Sequence, residues 1–547
     1  MSDRALTIAV LLIAAAVTSQ AAPLPAQTTD WRSHGGSDTN HRFAPLRRIH
    51  RGNVGRLVLR RAFQTGTARL GGLLATPLVA DGVLHMTTPY NSLIAWDLRT
   101  GRERWRYEHR LGEFQSCCGP TNRGAALAGD LVLMGTLDAR LVALDAGTGA
   151  VRWEVEDSDP DSAYAITMAP LVVGGSVIVG ASGAEYATRG RLTAYDVRTG
   201  QRLWRFHTVP SPDEGGWWGR WSDTTSGGDR LGRDIAQERS DSARYADAWR
   251  TGGGTVWTTP AYDAELGLIY FGTGNPVPEY DGSVRPGDNL YTVSLVALDV
   301  ATGQLRWYHQ YVPHDEWDHD VPNPPILFRA GGRKLVAQAT KMGWVYVLDA
   351  TDGSLVRRSA PLVPQESLFA RPTAGGIRRA PGAAGGANWQ PSALDPVSGT
   401  MYVPMLHLPM VFKTFDEPRI SGRVYRRGSE DLLPGEPWFG TLSAVELGTG
   451  RIAWTVRADS AGFGGALRTA GDLVFAGDGH GWFRAFDART GAALWEFYCG
   501  AGVNAPPVTF ELEGEQFVAV AAGGSFYDGK LGDTVLVFGL PQVWRQR

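Results

Sequence analysis

The sequence predicts an all-β fold, namely an eight-bladed β-propeller of four-stranded antiparallel blades with Trp-docking motifs. Two observations predict it. A segment of the type Asp-x-x-Thr-Gly-x-x-x-Trp recurs along the chain, which also holds 69 glycines and 19 tryptophans. Helical periodicity between the copies is nearly absent. A segment that recurs at a regular spacing indicates repeated supersecondary units, and here those units are made of strands.

Each copy of the segment predicts a strand, a turn and a second strand. Apolar residues alternate before the Asp, as in residues 141–144, which is typical of a strand. Asp-x-x-Thr-Gly predicts a turn, because Gly takes positive φ and the Asp side chain accepts hydrogen bonds from nearby amides. The closing Trp can pack between neighbouring sheets. The copies are Asp97–Trp105, Asp145–Trp153, Asp196–Trp204, Asp299–Trp307, Glu446–Trp454 and Asp487–Trp495, with a degenerate copy from Asp349.

The spacing of the copies favours a propeller. Uninterrupted copies begin about 41 to 51 residues apart, a length that fits four short strands. A solenoid fits poorly, because these repeats are too long for β-helix rungs and lack helices. Seven blades are the alternative to eight. Two stretches outside the repeat, residues 207–250 and 360–387, are interpreted as loops over one face.

Residues 1–22 are predicted to be a signal peptide, and residues 30–547 a single propeller domain. Arg4 precedes an apolar run, Leu6 to Val17, and the small residues Ser19 and Ala21 suit a cleavage site. An uncleaved membrane anchor is the alternative, but the run is short for a membrane span. We therefore expect an exported, periplasmic protein that does not span a membrane.

The charge balance argues against a nucleic-acid partner. The chain has 53 basic and 56 acidic residues, a formal net charge of −3. No basic patch or acidic tail stands out in the sequence. Nucleic-acid binding proteins normally concentrate positive charge on one surface. We therefore expect no nucleic-acid partner.

Two of the three cysteines, Cys117 and Cys118, are adjacent. An exported chain meets an oxidising compartment, where such a pair can close only a small, strained disulfide ring. Two buried free thiols are the alternative, and metal ligation is less favoured because no nearby His or Cys completes a site. Cys499 is expected to be a small buried apolar residue.

Two glycine-rich segments carry candidate metal ligands. Glu185 lies in GASGAEY and Asn275 in FGTGNP. Glycines let the backbone approach a ligand closely, and carboxylate and amide oxygens are common ligands of hard cations. A third glycine-rich segment, GGGTVW, places Trp257 beside another close backbone approach.

The segment HDEWDHD, residues 314–320, is strongly acidic. Its acids are Asp315, Glu316, Asp318 and Asp320. Carboxylates this close repel one another and raise their own pKa values unless a cation offsets them. A solvated acidic loop is the alternative, but the position directly after a blade's final strand favours a site. His314 and His319 are alternative ligands, although exposed loop histidines are commoner.

Together these motifs resemble those of the quinoprotein dehydrogenases, eight-bladed propellers that bind pyrroloquinoline quinone (PQQ). The methanol, ethanol and membrane glucose dehydrogenases belong to this family. The resemblance runs over nearly the whole mature chain. It rests on the segments SCCGPTNRG, GASGAEY, GGGTVW, FGTGNP, RPGDN, HDEWDHD and GGANWQP.

The resemblance implies a PQQ site. The Cys117–Cys118 disulfide would lie on one face of PQQ and Trp257 on the other. Arg123 would pair with a PQQ carboxylate, and Lys341 would lie near the quinone oxygens. Further contacts are implied for Thr167, Ser182, Gly183, Ala184, Thr255, Asn388 and Trp389.

The resemblance also implies a metal site and a catalytic base. Glu185, Asn275 and Asp318 would bind a metal ion together with PQQ, and the metal would polarise a quinone carbonyl. Asp318 would take the alcohol proton while hydride passes to the quinone. Lanthanide-dependent relatives carry an Asp at the place of Asp320, but so does the glucose-dehydrogenase branch, which uses calcium or magnesium. Both Ca²⁺ and a lanthanide ion stay open, with calcium favoured.

Two features leave open how tightly the cofactor binds and which substrate the protein takes. Most relatives carry a Glu at the place of Leu74, so one polar contact to the cofactor is lost or replaced. The substrate depends on the stretches that cover the propeller face. There, Trp217, Trp218 and Trp221 either line an apolar mouth or anchor loops.

The implied function is periplasmic, PQQ- and metal-dependent oxidation of a primary alcohol, polyol or sugar. The sequence has no Cys-x-x-Cys-His haem-attachment motif, so a separate acceptor such as soluble cytochrome c is expected. The alternative is a non-catalytic Trp-blade scaffold of the outer-membrane assembly type. A scaffold would have no reason to keep Glu185, Asn275 and Asp318 together.

Overall fold

The structure, a computed structural model, describes residues 29–67, 71–112, 114–116, 118–157, 163–459, 462–525 and 529–541. The predicted signal peptide, residues 1–22, therefore lies outside the described residues. Across the described ranges, no helix is both long and apolar enough to cross a membrane.

Eight four-stranded antiparallel blades follow one another along these residues, which confirms eight blades rather than seven. Before the first blade come β1 (Phe43–Ala44) and β2 (Val58–Gln64). Blade 1 contains β3 (Leu78–Ala80), β4 (Val83–Thr87), β5 (Ser92–Asp97) and β6 (Glu103–Glu108). Blade 2 contains β7 (Ala126–Ala128), β8 (Leu131–Gly135), β9 (Arg140–Asp145) and β10 (Val151–Glu156).

The next three blades have the same plan. Blade 3 contains β11 (Leu171–Val173), β12 (Ser176–Gly180), β13 (Arg191–Asp196) and β14 (Arg202–His207), and helix α1 (Ile235–Asp241) follows it. Blade 4 contains β15 (Ala261–Asp263), β16 (Leu268–Gly272), β17 (Ser294–Asp299) and β18 (Leu305–Gln310). Blade 5 contains β19 (Ile326–Ala330), β20 (Arg333–Ala339), β21 (Val345–Asp349) and β22 (Leu355–Arg358).

Blade 6 is interrupted by an insertion. Its region contains β23 (Ile377–Arg379), β24 (Ala393–Asp395), β25 (Thr400–His407), β26 (Met410–Thr414), β27 (Gly428–Leu432), β28 (Phe439–Glu446) and β29 (Arg451–Asp459). Strands β24, β25, β28 and β29 form the blade, whereas β23, β26 and β27 form a separate three-stranded sheet. We call residues 408–438 the blade-6 insertion.

The chain ends close the propeller. Blade 7 contains β30 (Leu467–Thr469), β31 (Leu473–Gly477), β32 (Trp482–Asp487) and β33 (Ala493–Tyr498), and β1 pairs with β30 in parallel. Blade 8 contains β34 (Val508–Leu512), β35 (Glu515–Ala522) and β36 (Thr534–Gly539). Its fourth strand is β2, which pairs antiparallel with β36. Because strands from both ends of the chain share one blade, that blade closes the ring.

The closing Trp of a repeat docks onto the next blade. Trp105 Nε1 donates to the carbonyl of Ala146 at 3.0 Å, and the indole packs where a side chain on Gly149 would collide with it. The equivalent bonds join Trp153 to Val197, Trp204 to Val300, Trp307 to Ala350, Trp454 to Ala488 and Trp495 to Leu57. Ala146 and Gly149 belong to the same turn of blade 2. The predicted motif therefore holds a blade against its neighbour.

The turn of each repeat is built as the sequence predicts. In blade 2, Asp145 Oδ1 accepts hydrogen bonds from the N–H groups of Gly147 and Thr148, at 3.1 and 2.9 Å, and from the Thr148 hydroxyl. Gly149 has φ +74°, a conformation that favours glycine. Between the sheets lies the core, as where Leu133 of blade 2 packs with Val177 of blade 3.

The two stretches interpreted as loops are more ordered than that prediction. Residues 207–250 include α1, which begins with Asp234 accepting a hydrogen bond from Gln237 N–H. Residues 360–387 include β23, which pairs with β26 of the blade-6 insertion. Sequence patterns missed this sheet because its strands are short and far apart in the chain.

Candidate active site

A cavity of about 800 Å³ lies at the centre of the propeller. Each of the eight blades contributes lining residues from the segment just before its first strand. One residue from each such segment, in chain order, is Leu74, Arg123, Thr167, Thr255, Asp318, Asn388, Gly462 and Asn504. Equivalent positions of all eight blades can meet only around the common axis. We call this space the axial cavity.

The axial cavity collects every predicted site residue that the structure describes. Cys117 lies outside the described residues. The predicted residues that line the cavity are Cys118, Arg123, Thr167, Ser182, Gly183, Ala184, Glu185, Thr255, Trp257, Asn275, Asp318, Asp320, Lys341, Asn388 and Trp389. Leu74 lines it as well, so the side chain that departs from the family pattern faces the same space.

Glycines bring the Glu185 and Asn275 segments side by side. Gly253 N–H donates to the carbonyl of Thr188 at 3.0 Å, and Gly254 N–H donates to the carbonyl of Asn275 at 2.9 Å. A Cβ on Gly253 would lie 2.6 Å from the Asn275 carbonyl oxygen. Only glycine therefore allows this close approach, which holds two candidate metal ligands on one wall.

Lys341 joins the two aspartates of the acidic segment that line the cavity. Its Nζ lies 3.0 Å from Asp318 Oδ1 and 3.1 Å from Asp320 Oδ2. The second oxygen of Asp320, Oδ1, accepts a hydrogen bond of 2.6 Å from Asn275 N–H. Asn275 Nδ2 donates to its neighbour, the Pro276 carbonyl. Asp318 has φ +58°, a backbone conformation that aims its side chain away from the path of the strand.

The acids of the cavity outnumber its cations. The lining includes six carboxylates and three cationic side chains. Burial raises the pKa of Asp318 well above its ordinary value, and the Asp320 carboxylate adds to this rise while Lys341 opposes it. Burial also raises the pKa of Glu185, with a further contribution from Asp320. Buried carboxylates in excess are stabilised by a bound cation.

The acidic segment divides its four acids between two tasks. Asp315 pairs with His319 at 2.9 Å and accepts hydrogen bonds from the N–H groups of Trp317 and His319. Glu316 pairs with Arg371 at 2.6 Å. Only the remaining two acids line the cavity. Asp315 and Glu316 therefore have partners within the protein, and the two acids left to face the cavity are the two that were predicted to bind a metal ion.

The two histidines of that segment also differ from those of an exposed loop. His314 and His319 are buried. His314 Nδ1 lies 2.8 Å from the Gly287 carbonyl oxygen, and His319 Nε2 lies 3.1 Å from a nitrogen of Arg379. Neither lines the axial cavity. Their contacts stabilise the segment that carries Asp318.

Arg123 lies between two indole rings. Its guanidinium carbon is 4.7 Å from the ring centroid of Trp257 and 5.5 Å from that of Trp389. Its Nη1 donates to the Thr167 hydroxyl at 2.8 Å. A buried, stacked guanidinium is well suited to pair with the carboxylates of a planar aromatic ligand.

The cysteines differ from one another. Cys118 is disulfide-bonded, and Cys499 is a free thiol of intermediate exposure. Cys499 is therefore less buried than we expected. Burial raises the pKa of its thiol to about 12, which leaves it inert as a nucleophile.

The tryptophans of residues 217–221 anchor loops and do not line the cavity. Trp217 is buried, and a Cβ on Gly252 would lie 2.9 Å from its ring. The backbone of Trp218 lies against Gly287, and its carbonyl accepts a hydrogen bond from Asp288 N–H at 2.8 Å. Of the two interpretations of these residues, the apolar mouth is therefore wrong.

Sequence reasoning missed one wall of the cavity. The blade-6 insertion supplies Arg426, Glu430 and several apolar side chains, and the segment after Asn275 supplies Glu279. Arg426 Nε lies 3.3 Å from Glu279 Oε2, and Arg426 Nη1 lies 2.6 Å from Glu430 Oε1. Burial raises the pKa of Glu279 to about 8. The position of Glu279 four residues after Asn275 was the only available signal.

Comparison with known proteins decides the family. Residues 31–366 and 424–518 match the family described as PQQ: glucose/ethanol/alcohol dehydrogenase, β-propeller domain. The chain belongs to this family of PQQ-dependent dehydrogenases. It is therefore an oxidoreductase, and the scaffold alternative is set aside.

Similar sequences come from curated relatives in this family. The chain is 37% identical over 528 residues to the quinohemoprotein alcohol dehydrogenase ADH IIB of Pseudomonas putida, covering 90% of this chain and 73% of that protein. It is 36% identical over 515 residues to the quinoprotein alcohol dehydrogenase PedH of Pseudomonas putida, covering 88% and 84%.

Solved structures agree with these sequence matches. The quinohemoprotein alcohol dehydrogenase from Comamonas testosteroni superposes with a TM-score of 0.82 at 32% identity, covering 95% of this chain and 82% of that one. A europium-containing methanol dehydrogenase also gives a TM-score of 0.82, at 29% identity, covering 93% and 98%. A quinohemoprotein alcohol dehydrogenase and a europium-containing methanol dehydrogenase are thus both similar in fold to this chain.

The axial cavity fits the family's cofactor. Among the described residues, no three His, Cys, Asp or Glu side chains are gathered closely enough to bind one ion by themselves. A metal ion here would therefore need further oxygen ligands, such as the amide of Asn275 and those of a bound quinone. The excess of carboxylates, the stacked Arg123 and the two facing indoles suit a metal-bound, carboxylate-bearing aromatic cofactor.

Proposed function

We propose that this protein is a periplasmic dehydrogenase that uses PQQ and a metal ion to oxidise an alcohol to the carbonyl compound. The observation that carries the proposal is the axial arrangement of Asp318, Asp320 and Lys341 within one cavity wall that also holds Glu185 and Asn275. The substrate is a primary alcohol, polyol or sugar.

The cofactor would be held from several sides. Trp257 would stack on the ring system, opposite the disulfide that includes Cys118. Arg123 would pair with a cofactor carboxylate, because its guanidinium is buried and already oriented by Thr167. The remaining polar contacts would come from Ser182, Gly183, Ala184, Thr255, Asn388 and Trp389.

The metal would be held by Glu185, Asn275 and Asp318, with Asp320 beside them. Asp320 is already bonded to Asn275 N–H and to Lys341. If the bound ion is Ca²⁺, Asp320 would therefore orient the neighbouring ligand Asn275. If the bound ion is a trivalent lanthanide, which favours more anionic ligands, Asp320 would bind the metal itself. We propose no preference between the two ions here, because it depends on whether Asp320 binds the metal.

Asp318 would act as the general base. Lys341 holds Oδ1 of its carboxylate at 3.0 Å, which we take to leave Oδ2 for the proton of the substrate hydroxyl. Lys341 also favours the anionic form of that carboxylate by its own charge. When bound, the quinone supplies the hydride acceptor and the metal supplies Lewis acidity.

The electrons would leave to a separate acceptor, such as a soluble cytochrome c. The absence of a Cys-x-x-Cys-His motif from the sequence supports this part of the proposal. The predicted signal peptide supports a periplasmic location.

Reconstitution tests the proposal. The purified protein is loaded with PQQ plus Ca²⁺ or plus La³⁺, and dye reduction is followed with ethanol, glycerol and glucose. We expect turnover with at least one pairing, and none when PQQ is omitted or the metal is chelated. Retention of no PQQ and turnover of no substrate with either metal would overturn the proposal.

The Asp320→Ala variant discriminates between the metals. If the ion is a lanthanide, the variant should lose turnover with La³⁺ and keep turnover with Ca²⁺. If the natural ion is calcium, wild-type protein should turn over faster with Ca²⁺ than with La³⁺. Equal loss with both ions would show that Asp320 acts through Lys341 rather than on the metal.

A further inference from the structure

The pair Glu279–Arg426 is the part of the axial cavity that the proposed chemistry does not use. Glu279 is 3% exposed, and its Oε2 lies 3.3 Å from Arg426 Nε. Arg426 also contacts Glu430 at 2.6 Å. All three side chains line the cavity. Burying an ion pair costs desolvation free energy, so its presence in a cavity wall calls for a physical reason.

The pair is built from two distant parts of the chain. Glu279 follows the Asn275 segment of blade 4, and Arg426 comes from the blade-6 insertion. Tyr280 N–H donates to the Arg426 carbonyl at 3.1 Å, which joins the two backbones next to the pair. Glu279 and Arg426 line the same cavity as Asp318, the proposed base.

Two polar atoms next to the pair are left without a hydrogen bond of good geometry. Among the described residues, Arg426 Nε and Glu430 Oε2 are buried and make no hydrogen bond of good geometry. Arg426 and the two glutamates that it pairs with, Glu279 and Glu430, thus place donor and acceptor groups together on the cavity wall. A hydroxyl group is the small neutral group that both donates and accepts a hydrogen bond. A carboxylate would meet repulsion from Glu279 and Glu430, and an alkyl chain would leave the buried pair without any polar partner.

We propose that Glu279 and Arg426 bind a second hydroxyl group of the substrate, and that the preferred substrates are diols and polyols. This inference rests on the proposed function, because it assumes that Asp318 receives the reacting hydroxyl. The first hydroxyl lies at Asp318 and the second at the pair. Leu406, Leu408 and Met410 line the cavity further out and contact the carbon chain. The pair determines specificity and takes no part in the transfer of hydride.

The matched substrates 1,2-propanediol and 1-propanol test the proposal, since they differ by one hydroxyl group. Sites that hydrogen-bond a substrate hydroxyl discriminate strongly against analogues that lack it. We expect kcat/KM of the wild-type holoenzyme to favour the diol by at least about 10-fold. In the double variant Glu279→Leu/Arg426→Met, this preference should fall to about 1, because the groups that bind the second hydroxyl are removed together. Glu430 loses its partner in this variant, but its side chain is 20% exposed, so water can solvate it.

Two further variants separate specificity from folding. Glu279→Gln keeps the shape of the side chain and removes its charge, and should reduce the diol preference by about 3- to 10-fold. Glu436→Gln is the matched control. Glu436 also lines the cavity and pairs with an arginine, Arg378, but its side chain is 35% exposed, so water can replace the partner. It should leave the diol preference unchanged.

The outcomes are distinguishable. Retained 1-propanol turnover with a collapsed diol preference in the double variant supports the proposal and shows that the variant is folded. An unchanged preference overturns it. Loss of PQQ absorbance from the purified double variant, with wild-type protein loaded normally, also overturns it, because the pair would then hold the cofactor. A wild-type protein inactive on every alcohol is instead a failure of the proposed function.

Discussion

The rim and the axis of this propeller use polar side chains in opposite ways. At the rim, the same Asp turn and the same Trp contact recur from blade to blade, as at Asp145 and Trp105. The Asp side chain of the turn has its partners within its own repeat, and the Trp indole has its partner in the next blade. On the axis, most blades contribute different side chains, and carboxylates outnumber cations.

The difference teaches which residues stabilise the fold and which have another task. Repeated, satisfied hydrogen bonds lower the free energy of the folded state in small and similar steps. Buried carboxylates such as Asp318 and Glu185 raise it, because burial and mutual repulsion disfavour their charge. Residues that cost stability and line a cavity are the ones expected to bind ligands. Changes at the axis should therefore alter activity, and changes at the rim should alter stability.

The largest effect is expected from Asp318→Asn. The variant keeps the size of the side chain and removes the proposed base, so kcat should fall about 10³-fold. Its melting temperature should stay near that of wild-type protein or rise, because a repelled carboxylate is removed. Dye-linked turnover of PQQ-loaded protein and a thermal melt check the two parts. Turnover within 10-fold of wild type would show that another group takes the proton.

Asp157→Asn tests a polar residue that joins two blades. Asp157 follows β10 and pairs with Arg191 and Arg205 of blade 3, at 2.8 and 2.9 Å, and accepts a hydrogen bond from Tyr195. Removing one partner of a buried ion pair costs about 3 kcal/mol of unfolding free energy. Urea unfolding measures this loss, and kcat of the loaded protein should not change.

The same carboxylate predicts a pH dependence. Burial would raise the pKa of Asp157, but Arg191 and Arg205 outweigh it and hold the folded pKa below the ordinary value. The stabilisation is therefore complete above the unfolded pKa of about 3.9, and is lost as pH falls through the folded pKa. The difference in stability between wild type and Asp157→Asn should narrow in that acidic range. A difference that is constant with pH would contradict the ion-pair explanation.

Trp204→Phe tests the docking contact. Phenylalanine lacks the indole N–H that donates to the Val300 carbonyl at 2.9 Å, so the variant should lose about 1 kcal/mol. Trp153→Phe removes the equivalent bond to Val197, at 3.1 Å. Because the two positions are equivalent, the two losses should agree within experimental error. Clearly unequal losses would show that the repeats do not contribute alike.

The smallest effect is expected from Arg104→Ala. Arg104 is 41% exposed and pairs with Asp97 at the surface, where an ion pair contributes about 0.5 kcal/mol. Asp97→Ala should cost more, because Asp97 Oδ1 also accepts hydrogen bonds from the N–H groups of Arg99 and Thr100. Denaturant unfolding of both variants checks the order. A larger loss for Arg104→Ala would mean that the charge of Arg104 contributes more to stability than the hydrogen bonds of the turn.

The rim could be predicted from the sequence because its contacts are local and repeated. The Asp turn spans a few residues, and the Trp contact joins positions one repeat apart. Strand number and blade count follow from that spacing. The blade-6 insertion could not be predicted in this way. Strand β23 pairs with β26 across more than thirty residues, and neither strand carries the alternating pattern of a longer strand.

The axis could be predicted only where short motifs carry the chemistry. Glu185, Asn275, Asp318 and Lys341 each lie in a distinctive segment, and the structure brings them together. The pairing of Glu316 with Arg371 and of Glu279 with Arg426 is absent from any motif, because the partners are far apart in sequence and meet only in the folded chain. For that reason the sequence alone could not identify the partners of Glu316 and Glu279.

The amount of PQQ retained after gel filtration tests the central claim most directly. The claim is that the axial cavity holds one PQQ between Trp257 and the disulfide of Cys118. Wild-type protein loaded with PQQ and Ca²⁺ or La³⁺ should retain one PQQ per chain, read from its absorbance. Trp257→Ala should weaken binding at least about 10-fold, since a stacked aromatic contact is lost. No retained PQQ, or equal retention by the variant, would contradict the account.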